Sequence, residues 1–289
     1  MSVLRLAVKP WQVVAQAGLA GWCARLEACV AEAASAGAGL LLLPEYAPLE
    51  MAAQPAPDLA AELACAVALA PRVLEAARDI ARRHRIWLMP GTVPMREAGQ
   101  IHNRAALIRP DGRMALQDKH VMTRFEAELW GIDPGRAPCV FDTDWGRIGI
   151  SICYDVEFPA LVRAQTEAGA WLILAPSCTD TMAGFNRVRV AARARAMENQ
   201  CFVAVAPTVG VSPGIATLDE NRGCGGIYGP IDRGFAEDGV MREGGMDDDA
   251  LLVADLDPAR LATVRAEGAV RNHRDHPAPP PPALPGAFA

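Results

Sequence analysis

The sequence predicts an α/β fold in which mixed β-sheets are layered against helices. Strand-like and helix-like segments alternate through most of the 289 residues, and such alternation is typical of α/β architectures. Two predicted hairpins add antiparallel pairs, so the sheets are expected to be mixed. A hydrophobic content of 51% is enough to bury a large core, either as one domain or as two closely packed halves.

The first half of the chain combines predicted strands with long helical segments. Apolar residues recur at helical spacing over 17–36, and Pro71 is expected to break the helical region 58–84. The turn sequences Pro110-Asp111-Gly112 and Trp145-Gly146 each separate two strand-like segments, which predicts two hairpins. The predicted strands are 3–9, 40–45, 86–92, 103–109, 113–119, 141–144 and 147–153.

The second half repeats the scheme. Its predicted helices are 158–167, 186–200 and 258–265, and its predicted strands are 171–176, 202–206, 225–228 and 250–256. Residues 277–289 are rich in proline, so we expect an extended tail outside a domain that spans 1–276.

Composition and charge argue against several classes of function. The net charge is −6, with no basic stripe, so nucleic acid is not an expected partner. The apolar runs are short and the N-terminus does not resemble a signal peptide, so no membrane association is predicted. Eight irregularly spaced cysteines are interpreted as free thiols of a cytoplasmic protein. The absence of C-x-x-C and H-E-x-x-H patterns leaves no expectation of a metal, and no cofactor is predicted.

Three polar residues stand at the ends of predicted strands: Glu45, Lys119 and Cys153. Ligands of α/β sheets bind outside the carboxyl ends of strands. A thiol can attack a carbonyl or nitrile carbon when a carboxylate accepts its proton and a cation stabilises the oxyanion. Each residue also has an ordinary interpretation, as a solvated loop carboxylate, a surface lysine or a small core cysteine. Their spacing alone leaves both interpretations open.

The segments around these residues resemble the signature regions of the nitrilase superfamily, the carbon–nitrogen hydrolases. The glutamate of that family follows a short apolar strand, as in Leu43-Pro44-Glu45. Its lysine lies in a segment similar to 118–131, and its cysteine in a C-Y-D-x-x-F-P segment, here 153–159. Further similarity over 175–177 and 192–200 extends a resemblance that runs, in the same order, from about residue 3 to 257.

The resemblance implies a fold and a mechanism. The fold would be a four-layer αββα sandwich of two mixed β-sheets flanked by helices, in subunits that form homodimers or higher homo-oligomers. Cys153 would be the nucleophile and Glu45 the general base. Lys119 and the backbone N–H of Tyr154 would stabilise the tetrahedral intermediate. The protein would then hydrolyse a small amide or carbamoyl compound through a Cys thioester, releasing a carboxylate and ammonia or an amine.

The resemblance leaves several residues open. Glu126 matches the second glutamate of the family best, because it lies seven residues after Lys119, and Glu128 is the alternative. The substrate pocket is expected to include Phe125, Trp130 and Ser177.

The substrate itself is also open. The arginines of the predicted helix 186–200 are candidates for binding a substrate carboxylate, although such residues more often pair with acids or cover an interface; they are Arg187, Arg189, Arg193 and Arg195. Tyr154-Asp155 follows the cysteine where true nitrilases resemble Trp-Glu, which favours the amidase branches. A nitrilase, and a non-catalytic binding protein that has kept the fold, are the alternatives.

Overall fold

A computed structural model of the chain describes residues 2–14, 18–52 and 58–276, so the predicted tail 277–289 lies outside the described residues. The described helices are α1 (Leu19–Ser35), α2 (Leu59–His84), α3 (Pro159–Glu167), α4 (Met182–Asn199) and α5 (Pro258–Glu267). The strands are β1 (Leu4–Val8), β2 (Trp11–Gln12), β3 (Leu40–Leu42), β4 (Trp87–Met89), β5 (Thr92–Glu97), β6 (Gln100–Ile108), β7 (Met114–Asp118), β8 (Val140–Thr143), β9 (Gly146–Ile150), β10 (Leu172–Ser177), β11 (Phe202–Val211), β12 (Glu220–Asn221), β13 (Gly226–Tyr228), β14 (Val240–Glu243) and β15 (Leu252–Leu256).

The first sheet has the strand order β15-β1-β3-β4-β6-β5, and β7 also pairs with β6. Strands β1, β3 and β4 are parallel, whereas β5 and β7 pair with β6 in antiparallel fashion. Leu40 and Leu42 of β3 face the second sheet, and Leu41 faces α1 and α2. Since successive side chains of a strand point to opposite faces, one apolar run fills two core layers.

The second sheet has the order β14-β13-β11-β10-β9-β8, and the short strands β2 and β12 also pair with β11. Its central strands β9, β10 and β11 are parallel. Helices α3 and α4 pack against this sheet through Val162, Val188 and Ala192. The order of layers is therefore helix, sheet, sheet, helix, which confirms the predicted αββα sandwich of mixed sheets.

The predicted break at Pro71 is wrong, because α2 runs without interruption from Leu59 to His84. A proline inside a helix costs one backbone hydrogen bond. Pro71 is exposed, and the buried residues on either side of it belong to one continuous apolar face. Packing of that face, through Ala70 and Val73 next to the proline, holds both halves of the helix in line.

The predicted strand 86–92 is in fact two strands, β4 and β5, separated by Pro90 and Gly91. Gly91 has a φ of +99°, and a Cβ atom there would lie 2.4 Å from the carbonyl oxygen of Pro44. Only glycine tolerates both the left-handed backbone and this close approach. The turn therefore packs directly against the peptide that precedes Glu45.

All eight cysteines are free thiols in the structure. Across residues 2–14, 18–52 and 58–276, no helix is both long enough and apolar enough to span a bilayer.

Candidate active site

The three predicted residues come from both sheets and meet where their strands end. Glu45 follows β3 and Lys119 follows β7 in the first sheet, and Cys153 follows β9 in the second. Lys119 Nζ donates a hydrogen bond to Glu45 Oε1 at 2.8 Å. All three side chains are buried, with at most 4% of each residue exposed. The site therefore lies between the two sheets and is shielded from bulk water.

Cys153 begins a short 3₁₀ helix, Cys153–Glu157, rather than ending a strand. The predicted strand extended to the cysteine, whereas β9 ends at Ile150. Cys153 has a φ of +48°, a conformation that is strained for a residue with a side chain and that is found preferentially at functional sites. This turn places the Tyr154 N–H in the first turn of the helix, where backbone N–H groups lack a partner within the helix.

The peptide of Cys178 connects Cys153 with Glu45. Its N–H donates to Glu45 Oε2 at 3.0 Å, and its carbonyl oxygen accepts from Cys153 Sγ at 3.4 Å. Cys178 directly follows β10, the strand between β9 and β11. This role is not predictable from the sequence, because a backbone contact leaves no signal in the residue type.

The second glutamate next to the lysine is Glu126. Lys119 Nζ donates to Glu126 Oε2 at 2.6 Å, and the backbone N–H and hydroxyl of Thr123 donate to the same oxygen at 3.0 and 2.9 Å. Glu128 instead lies on the surface, where it pairs with Arg124 at 2.8 Å. Of the two candidates, the structure brings Glu126 into the site and leaves Glu128 outside it.

Two further side chains hold the carboxylates, and neither is among the residues predicted from the sequence. Asn103 Nδ2 donates to Glu45 Oε1 at 2.8 Å and to Glu126 Oε1 at 3.2 Å. The Tyr46 hydroxyl donates to Glu126 Oε1 at 2.8 Å. A signal for Asn103 exists in the sequence, since an amide in the middle of a buried strand needs a polar partner.

Glu45, Lys119 and Glu126 form a cluster of buried charges that stabilise one another. Burial raises the pKa of Glu45 to about 7, opposed by the Lys119 ammonium and reinforced by Glu126. Burial would lower the pKa of Lys119, but the two carboxylates outweigh it and raise that pKa well above its usual value. Likewise the ammonium outweighs burial at Glu126, whose pKa is lowered. Burial also raises the pKa of the Cys153 thiol well above its usual range.

Asp155 joins the cysteine segment to the lysine segment. Its buried carboxylate accepts from the backbone N–H of His120 at 3.0 Å and of Val121 at 2.8 Å. The Lys119 N–H in turn donates to the Asn103 carbonyl oxygen at 2.8 Å. These bonds fix the chain on both sides of the lysine, so its ammonium has little freedom to leave the two carboxylates.

The cluster opens into a cavity of about 610 Å³. Among the predicted pocket residues, Phe125, Trp130 and Tyr154 line this cavity. Ser177 does not line it, because its hydroxyl turns back and donates to the Ala175 carbonyl oxygen at 3.1 Å. Within 2–14, 18–52 and 58–276 no group of three His, Cys, Asp or Glu side chains is placed to hold a metal ion.

The four arginines of α4 make different contacts from one another. Arg189 pairs with Glu243 at 2.7 Å and Arg195 with Glu198 at 2.6 Å, while Arg193 donates to the backbone oxygen of Asp238. Arg187 lines the cavity and lies 3.6 Å from Glu157. Of the four, Arg187 is therefore the one in a position to meet a substrate.

Comparison with known proteins identifies the family of this chain. The sequence model of the family described as Carbon-nitrogen hydrolase matches residues 13–266. The chain therefore belongs to the carbon–nitrogen hydrolases, the nitrilase superfamily, and the predicted family is confirmed.

Individual relatives include hydrolases and amidases. The chain is 38% identical over 197 residues to the probable hydrolase YhcX of Bacillus subtilis, a match that covers 68% of this chain and 38% of that protein. It is 26% identical to the omega-amidase NIT2 of Xenopus tropicalis, over 86% and 87% of the two chains. A structure of the amidase from Nesterenkonia sp. AN1, with acrylamide added at its active-site cysteine, is 26% identical, has a TM-score of 0.72 and matches over 91% and 97%. A Helicobacter pylori carbon–nitrogen hydrolase shares the fold with a TM-score of 0.78 at 17% identity, over 92% and 93%.

Proposed function

We propose that this protein is a cysteine-dependent amidase that hydrolyses a small amide or carbamoyl compound to a carboxylate and ammonia or an amine. One observation carries the proposal: a buried ammonium, Lys119, lies between two carboxylates, Glu45 and Glu126, beside the thiol of Cys153. The family and the amidases among its relatives support the reaction class. The cysteine adduct of the Nesterenkonia amidase supports a cysteine nucleophile.

In the first half of the reaction, Cys153 Sγ attacks the amide carbon and its proton passes to Glu45. The new C–S bond turns the carbonyl oxygen into an oxyanion, which Lys119 Nζ and the Tyr154 N–H stabilise. When the tetrahedral intermediate collapses, the C–N bond breaks and Glu45 returns the proton to the leaving nitrogen. Ammonia or an amine departs, and the acyl group remains on sulfur as a thioester.

In the second half, a water molecule attacks the thioester carbon and gives a proton to Glu45. Lys119 and Tyr154 stabilise the second oxyanion in the same way. The C–S bond then breaks, the Cys153 sulfur recovers its proton from Glu45, and the product leaves as a carboxylic acid that ionises to the carboxylate in solution. The base and the oxyanion donors are therefore used twice, once in each half of the cycle.

The protonation states suit this sequence of steps. Because the pKa of Cys153 is raised by burial, the resting thiol is neutral and needs a base at the moment of attack. Glu45, with a pKa of about 7, accepts and returns a proton efficiently near neutral pH. Glu126 keeps Lys119 charged, so the cation that meets the oxyanion is already in place.

Intact-protein mass spectrometry with parallel measurement of ammonia tests the proposal. Wild type and Cys153→Ala are incubated with small amides, carbamoyl amino acids and nitriles. We expect an acyl adduct on wild type alone, together with ammonia from amides or carbamoyl compounds. Full hydrolysis by Cys153→Ala would refute the mechanism, and ammonia from nitriles alone would identify a nitrilase. The predicted homo-oligomer stays a prediction, which light scattering would test.

A further inference from the structure

Outside the Glu45–Lys119–Glu126 cluster, acidic side chains predominate in the cavity lining. Four carboxylates and two arginines line this part of the cavity: Glu157, Asp180, Asp219, Glu220, Arg124 and Arg187. A cleft lined by one sign of charge concentrates ligands of the opposite sign. Whether this lining attracts cations depends on which of its charges are already paired.

Both arginines have carboxylate partners. Arg124 makes two hydrogen bonds to Glu128, at 2.8 and 3.0 Å. Arg187 lies 3.6 Å from Glu157, so a substrate carboxylate would have to compete with Glu157 for it. Both arginines that line the cavity in the described part of the chain are therefore already paired with a carboxylate when an anionic substrate enters.

Three of the lining carboxylates have no cationic partner. In the described part of the chain, Asp180, Asp219 and Glu220 form no ion pair with a lysine, arginine or histidine. All three are exposed, so their side chains are hydrated and placing them here carries no cost of burial. This leaves an excess of negative charge facing the cavity.

The segment that carries Asp219 and Glu220 is held in place by a buried charged residue. Glu62 of α2, only 3% exposed, accepts hydrogen bonds from the N–H of Ala216 at 2.9 Å and of Thr217 at 3.3 Å, and from the Thr217 hydroxyl. These two residues themselves line the cavity. Burying a carboxylate is costly unless it is hydrogen-bonded, so Glu62 indicates that this segment has a fixed position. We call the segment 216–220 the wall of the cavity.

The wall is also tied to the reacting residues. Asn221, which is fully buried, donates to the Leu218 carbonyl oxygen at 2.7 Å and accepts from the Cys178 thiol at 3.7 Å. The Cys178 peptide in turn contacts both the base and the nucleophile. A substrate held against this wall is therefore positioned relative to the cluster by a continuous set of buried contacts.

From these contacts we infer that the preferred substrates are small amides or carbamoyl compounds whose other end carries a positive charge, an ammonium or a guanidinium. Asp219 and Glu220, together with Asp180, which also lines the cavity, would bind that group. The inference rests on the proposed amidase function and narrows its substrate class. On this inference Arg124 and Arg187 are paired with carboxylates of the protein, and they do not bind a substrate carboxylate.

Binding to the Cys153→Ala variant tests the charge preference without turnover. Calorimetry would compare 4-aminobutanamide, which is cationic, with pentanamide, its neutral counterpart, and with succinamate, which is anionic. An exposed ion pair contributes up to about fivefold in affinity, so two or three of them predict about tenfold tighter binding of the cation than of pentanamide. Succinamate should bind more weakly than either. The preference should shrink between about 0.02 and 0.5 M salt, because the charges are exposed.

Variants that remove charge show which residues produce the preference for the cationic amide. In the Cys153→Ala background, Asp219→Asn combined with Glu220→Gln should reduce the affinity ratio of cationic to neutral amide about tenfold. Asn at 219 keeps the side-chain oxygen that accepts from the Glu220 N–H at 2.9 Å, so the turn is retained. The matched control is Glu237→Gln with Glu267→Gln, which removes two exposed charges outside the cavity lining and should leave the ratio unchanged.

The outcomes separate this inference from the proposed function. Equal binding of cationic and neutral amides, no measurable binding of the cationic amide, or an equal effect of the control pair would overturn the charge preference. Ammonia release from pentanamide by the enzyme with Cys153 intact would still support an amidase in those cases. Conversely, cation-selective binding without ammonia release from any amide would support the preference for a cationic ligand and count against the proposed amidase reaction.

Discussion

Replacement of Glu45 by glutamine isolates the role of the proposed base. Glutamine has nearly the same size, and its side-chain oxygen can still accept the hydrogen bond that Lys119 Nζ now donates at 2.8 Å. Lys119 also keeps its second carboxylate partner, Glu126, at 2.6 Å. The variant therefore preserves the packing of the cluster and removes its ability to accept a proton from Cys153.

The expected loss is large because the nucleophile cannot ionise unaided. A positioned general base contributes roughly 10²- to 10⁴-fold. Burial raises the pKa of Cys153 well above its usual range, so almost no thiolate forms without the base, and we expect a loss near the upper end, about 10³-fold or more in kcat/KM. Glu45 acts as a base only when ionised. With a pKa of about 7, wild-type kcat/KM should rise about tenfold per pH unit below 7 and level off above it.

The assay is ammonia release between pH 5 and 9 with an amide that the mass-spectrometric screen identifies. Thermal unfolding of each variant checks that the fold is intact, and Glu75→Gln, the same change at an exposed position of α2, serves as the control. Glu45→Gln should lose both the rate and the rise with pH. A loss of less than about tenfold, or an unchanged rise through pH 7, would refute the assignment of Glu45 as the base.

Three further predictions follow from the same contacts. Lys119→Met should lower kcat at least about a hundredfold by removing an oxyanion donor, and should move the pH profile upward, because loss of the ammonium raises the pKa of the base; a downward shift would contradict this. Glu126→Gln should reduce kcat more than tenfold, whereas Glu128→Gln should stay within about twofold, and equal effects in ammonia assays would refute the choice between them. Gly91→Ala should destabilise the protein by about 1–3 kcal/mol, since its Cβ would lie 2.4 Å from a carbonyl oxygen at a φ of +99°; an unchanged denaturation midpoint would count against it.

Local patterns in the sequence were sufficient for the order of the main elements and for the candidate residues. Apolar runs such as Leu40–Leu43 predicted buried strands, because a strand covered on both faces has no polar side. The residues that follow these runs, Glu45 and Lys119, were recognisable from their positions at strand ends and from the family motifs around them. Cys153 was recognisable in the same way, although the strand before it ends three residues earlier than predicted.

Elements that depend on long-range packing were missed or placed wrongly. The break at Pro71 was predicted from the backbone chemistry of proline alone, whereas the apolar face of α2 is continuous across it. The short strand β2 was missed because it consists of two residues paired with β11, about 200 positions later in the chain. Pairing of this kind is decided by the partner strand and leaves little trace in the local pattern.

What the sequence by itself determined is the family, the layered α/β architecture and the candidates for the reacting residues, since these reside in short motifs and in the periodicity of apolar residues. The tertiary structure alone decided the choice of Glu126 over Glu128, the support of both carboxylates by Asn103 and the bridging role of the Cys178 peptide. It also decided which side chains line the cavity and how their charges are paired. The physical reason is that burial and partner distance set pKa values and binding preferences, and both arise only when residues far apart in the chain pack together.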